Sequence, residues 1–93
     1  MKAIVADTLD SLESYQLRDV QIPSPGIRQI LVRVAACGVG YVDSLVALGR
    51  YQVKPPTPFT PGREIAGIVE TVGSAVERIR PGEPVAVTVA VGT

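Results

Sequence analysis

The sequence predicts a mainly β domain with a single short helix, and three observations carry that reading. Apolar residues fall in short runs rich in Val and Ile, each bounded by Pro- and Gly-containing turns. Only one stretch, residues 41–49, repeats its apolar side chains at helical spacing. One Phe, three Tyr and no Trp among 93 residues leave aliphatic side chains to build the interior. At 46% hydrophobic and 19% charged residues the composition is that of a globular chain, and a chain this short makes one domain that buries roughly 60–65% of its unfolded surface.

The elements follow in order. KAIVAD at 2–7 is a short apolar run with β-branched members, and SYQLRDV at 14–20 sets Tyr15, Leu17 and Asp19 against Gln16, Arg18 and Val20; both read as strands. PSPG at 23–26 is a turn, because proline fixes one dihedral and glycine permits a positive one. QILVRVAAC at 29–37 alternates Ile30, Val32 and Val34 with Leu31, Arg33 and Ala35, as suits a strand near a sheet edge. Gly38 and Gly40 end it. In YVDSLVALG, Tyr41, Leu45 and Leu48 share a helical stripe with Val42 and Val46 beside it, and Gly49 stands where a helix stops. Prolines 55, 56, 58 and 61 exclude regular structure from VKPPTPFTPG, which is either an ordered extended loop or a flexible one. EIAGIVETVG at 64–73 resumes the two-residue period, with Ile65, Gly67, Val69 and Thr71 opposite Ala66, Ile68 and Val72. RPGEP then turns the chain into VAVTVAV at 85–91, the fifth strand. No repeat or linker interrupts the chain.

Charge and composition exclude several functions. Nine basic residues balance nine acidic ones with no Lys/Arg stripe, which argues against nucleic acid and anionic membranes as partners. Only four apolar residues separate Lys2 from Asp7, too few for a signal-peptide core, and no run approaches a membrane span, so the expected location is the cytoplasm. With no His and only Cys37, neither an internal disulfide nor a conventional zinc site can be assembled within the chain. Cys37 itself reads as a small core residue at the end of an apolar strand.

The succession PSPG…ILVRVAACGVGYVD…GRYQVKPPTPFTPGREIAGIVETVGSAVERIRPGEPVAV resembles the N-terminal, GroES-like catalytic domain (alcohol dehydrogenase N-terminal type) of the medium-chain dehydrogenase/reductase superfamily. Within it the sequence is most similar to the zinc-independent quinone oxidoreductases. The resemblance spans nearly all of residues 1–93 and implies a partly open GroES-like β-barrel with one short helix. Zinc enzymes of the superfamily place a metal-binding His between glycine and glutamate; here Arg63 stands between Gly62 and Glu64. Their zinc thiolate would fall at Gly40, three residues beyond Cys37. The resemblance therefore implies a zinc-free enzyme, with NADPH as the cofactor of the complete protein and a quinone or activated enone as its small-molecule acceptor.

Two departures accompany the match. The zinc-independent reductases usually carry Asn where Gly40 stands and often Arg where Ala47 stands. What matches is Tyr41, Asp43 and Tyr51. Tyr41 and Tyr51 become the candidate catalytic residues, since a phenol can donate a hydrogen bond to the oxygen that gains charge during hydride transfer. Asp43 and Arg63 become the candidate cofactor-side residues. Each also has a plainer reading: the tyrosines as amphipathic residues closing a core, Asp43 as a helix cap, and the Arg63–Glu64 pair as charges at a strand entrance with Glu64 turned inward toward Gly67.

No G-x-G-x-x-G turn opens a helix after a strand, so the expectation is that the nucleotide-binding domain is absent and that the barrel is incomplete at Thr93. The chain alone should then bind no NADPH and be inactive. An incomplete barrel should also self-associate through the strand edge near VAVTVAV, a run of high β-propensity without charge. The alternative is a stand-alone GroES-like module that binds a partner or ligand without catalysis.

Overall fold

A computed structural model describes residues 1–88 in two compact units, Met1–Gln21 with Val39–Gly62 and Ile22–Gly38 with Arg63 onward. The end of the expected fifth strand, residues 89–91, lies outside the described residues.

In the first unit, β1 (Lys2–Ala6) and β2 (Tyr15–Asp19) form an antiparallel pair running from Lys2 opposite Asp19 to Ala6 opposite Tyr15. The open end is tied by two bonds: the Met1 amino group donates to the Val20 carbonyl at 2.9 Å and the Val20 N–H donates to the Met1 carbonyl at 2.8 Å. Across the pair, Arg18 grips Asp7 through two guanidinium nitrogens at 3.0 and 2.7 Å, while Lys2 meets Asp19 at 2.7 Å. A 3-10 turn over Leu12–Ser14, capped by the Ser11 hydroxyl accepting from the Glu13 N–H, joins the strands. The two-residue alternation expected for β2 does not sort inside from outside, because Leu17 is 65% exposed.

The helix α1 (Tyr41–Ala47) is stopped as the sequence predicts. Gly49 takes φ +70, its N–H donates to the Val46 carbonyl, and the Arg50 N–H donates to the Leu45 carbonyl; together these satisfy two carbonyls that the last turn would otherwise orphan. Gly49 also lies so close to the Leu9 carbonyl that a β-carbon would overlap it. Val46 and Ala47 are buried, as are Val5 and Ala6 of β1. The Tyr15 hydroxyl donates to the Ala47 carbonyl at 2.8 Å and fastens this end of the helix to β2. The proline-rich loop is an ordered one: Ala6 and Phe59 exchange backbone hydrogen bonds of 2.9 Å, and the Thr57–Pro58 peptide is cis.

In the second unit, β3 (Ile30–Gly38), β4 (Glu64–Val72) and β5 (Pro84–Val87) form an antiparallel sheet in the order β3-β4-β5. Arg80 to Glu83 make the turn into β5. The β3–β4 register shifts twice, leaving Glu70 as an extra residue on β4 and Ala35 as an extra residue on β3. These bulges explain where the simple alternation fails. Gly67 and Val69 are buried as the two-residue period predicts, but past Glu70 the faces exchange and Val72, not Thr71, is the half-buried residue. Gly67 is required sterically, since a β-carbon there would overlap the Arg33 carbonyl of the neighbouring strand. Cys37 corrects its reading as a core residue: like every β3 residue from Arg33 to Gly38 it is exposed, because nothing among the described residues covers either face of this end of the strand, and its thiol lies 3.7 Å from the Gly38 carbonyl.

Candidate functional site

The four candidate residues divide between the units. Tyr41, Asp43 and Tyr51 belong to the first, and Arg63 to the second, where it is half-buried immediately before β4. Tyr41 opens α1 and its carbonyl accepts from the Ser44 hydroxyl at 2.6 Å. Its side chain is not the core stripe member that helical spacing suggests, for Tyr41 is 78% exposed, and Val39 just before it is 92% exposed. Tyr51 is half-buried two residues beyond Gly49. A seven-residue helix is roughly 10 Å long, so the two tyrosines leave the backbone at opposite ends of α1.

Asp43 does what a first-turn carboxylate does well. Its Oδ2 accepts from the Gly40 N–H at 2.7 Å, satisfying a donor at the start of the helix, while its charge suits the positive end of the helix dipole. The other oxygen, Oδ1, is buried without a hydrogen-bond partner among the described residues. Gly40 itself is extended, at φ −119, and supplies no side chain to the cap. The capping role was thus readable from the sequence, whereas the orphaned oxygen was not. Nor was the Tyr15 bond that anchors the helix carrying Tyr41 and Asp43; the only signal was a tyrosine in a strand beside a predicted helix. Burial pushes the Tyr15 phenol up from its ordinary value near 10.

Glu64 corrects its expected inward turn: it is exposed, and its carboxylate lies along Gly38 of β3. Further along the same sheet, Arg33 holds Glu70 through two nitrogens at 2.8 and 2.9 Å, which keeps the Glu70 carboxyl below its usual range. Two shallow concavities lie in the second unit. One, about 620 Å³, is lined by Arg28, Arg78 and the 75–79 loop, and the other, about 370 Å³, by residues such as Ala36, Ala66 and Ala86. Neither is lined by Tyr41, Asp43, Tyr51 or Arg63.

The donor set does not fit a catalytic zinc ion. The chain has no histidine, and the described residues contain no group of three His, Cys, Asp or Glu side chains placed to hold a metal. For a dinucleotide, the chain offers no glycine-rich phosphate cradle. The buried Oδ1 of Asp43 is an acceptor with lone pairs to spare. Among the described residues no helix is long and apolar enough to cross a membrane.

Residues 26–93 match the model of the alcohol dehydrogenase GroES-like domain. The rat (Rattus norvegicus) quinone oxidoreductase is 43% identical over 86 residues, covering 91% of this chain and 26% of that protein. The fold superimposes on Escherichia coli quinone oxidoreductase complexed with NADPH with a TM-score of 0.88 and 28% identity, over 98% of this chain and 28% of that one. It is also similar to a cobalt- and zinc-bound thermostable alcohol dehydrogenase from Pyrobaculum aerophilum, at TM-score 0.84 and 36% identity over 92% and 25% of the two chains. The chain thus spans about a quarter of the length of these relatives. A mainly β chain with one short helix, superimposing over nearly its whole length and sharing more than two residues in five with a relative, belongs to the alcohol dehydrogenase GroES-like domain family, on the quinone oxidoreductase side of the medium-chain dehydrogenase/reductase superfamily.

Proposed function

We propose that residues 1–93 form the substrate-side wall of an NADPH-dependent, zinc-independent quinone oxidoreductase-like enzyme of the cytoplasm. The observation that carries this reading is the superposition on a quinone oxidoreductase bound to NADPH, joined to a chain in which Arg63 and Gly40 stand where a zinc enzyme would need ligands. NADPH would supply the hydride. The chain's own part is to receive a quinone or enone and to offer hydrogen bonds from Tyr41 and Tyr51 to the carbonyl oxygen that becomes negative. Asp43 and Arg63 act on the cofactor side, Asp43 through the oxygen its cap leaves unused.

Alone, the 93-residue chain should be inactive, because holding donor and acceptor in reacting geometry is worth roughly 7 to 11 kcal/mol of barrier and this chain has no cradle for the cofactor phosphates. The test is to isolate the native polypeptide, measure its intact mass, and assay quinone-dependent NADPH oxidation by it and by the 93-residue chain. Turnover by a longer native form, lowered by Tyr51→Phe or Tyr41→Phe, supports the reading. A longer native form that oxidises NADPH with no simple quinone or enone overturns it. In isolation the chain should also self-associate through the edge of β5, a short strand with Val85, Ala86 and Val87 following Pro84. A stable monomer in light scattering at high concentration refutes this second point.

A further inference from the structure

No further inference is drawn: the strongest candidate, the exposed face of the β3-β4-β5 sheet where Ala36, Ala66 and Ala86 stand in one cross-strand row beside Ile68, is an unpartnered apolar surface, and nothing in the structure shows what covers it.

Discussion

Tyr15→Phe tests whether the helix that carries the candidate site is held from its far end. The substitution removes one oxygen and leaves the ring in place, so the change isolates the 2.8 Å bond from the Tyr15 hydroxyl to the Ala47 carbonyl. A neutral hydrogen bond contributes a net 0.5 to 1.5 kcal/mol, and an acceptor left buried without a donor costs about 1 to 3 kcal/mol. The hydroxyl is only part-buried, which places the expected loss near the lower figure, about 1 kcal/mol. In a domain of this size that lowers Tm by roughly 4 to 8 °C. Hydrogen exchange locates the effect: the N–H groups of Leu48, Gly49 and Arg50, which close the end of α1, should exchange faster relative to those of β4. Alkaline titration gives an independent sign. Because burial raises the Tyr15 pKa above 10.0, the fold favours the neutral phenol; this contribution is whole below pH 10 and is lost as pH rises through the folded value. Tyr15→Phe should therefore soften the alkaline loss of stability. An unchanged Tm together with unchanged exchange at residues 48–50 would refute the anchoring role.

Three further expectations rest on separate parts of the chain. Gly67→Ala should destabilise by about 1 to 3 kcal/mol or more through overpacking against the Arg33 carbonyl, whereas Gly38→Ala, whose added carbon meets neighbours at 3.4 Å or beyond, should stay within about 0.5 kcal/mol; urea melts giving equal losses for the two would contradict the close approach. Asp43→Ala should cost about 1 kcal/mol by orphaning the Gly40 N–H, and Asp43→Asn, which keeps an acceptor, should recover most of it; equal losses would show that charge, not the hydrogen bond, supports the helix start. In acid, Asp7, Asp10 and Glu70 are held below their ordinary values, first of all by hydrogen bonds from Arg18, from Ser14 and from Arg33 respectively. Their contribution is present above pH 3.8 to 4.5 and is lost as pH falls below that window; Asp7→Asn should flatten that decline in denaturation measured from pH 6 down to pH 2.5, and an unaltered slope would remove Asp7 from the account.

Much of the fold was legible because local rules acted alone. The stop at Gly49 needed only a left-handed residue after an apolar stripe, and the observed bonds from Gly49 and Arg50 to Val46 and Leu45 are what that residue permits. Gly82 likewise takes φ +94 in the turn expected at RPGEP. The misreadings have other causes. Thr71 and Val72 take their expected faces from counting twos, and both lie beyond a bulge that moves the count by one, whereas Cys37 is a small apolar residue type on a strand end that is exposed on both faces. A bulge is a property of two strands in register, so a single strand's sequence carries no mark of it. Periodicity groups Leu17 with Tyr15 and Asp19, and Tyr41 with Leu45 and Leu48, yet it names a shared face without saying what covers it, and both Leu17 and Tyr41 are exposed.

Tyr41 shows why the candidate site was less legible than the fold. Residue type and position on α1 follow from the sequence, but a phenol that is 78% exposed bonds to water as readily as to a substrate oxygen. At the dielectric of water two charges 4 Å apart interact by about 1 kcal/mol, against about 4 kcal/mol at an effective dielectric near 20. Stabilising a growing oxyanion therefore demands that the hydroxyl be dehydrated first. Val39, 92% exposed two residues earlier, carries the same requirement from the apolar side, since its methyl groups gain only when a surface closes over them. A surface that covered this end of α1 would both bury the valine and strengthen the tyrosine's hydrogen bond. What separates Tyr41 as a solvated residue from Tyr41 as a catalytic one is that covering, with no change in its own position or chemistry.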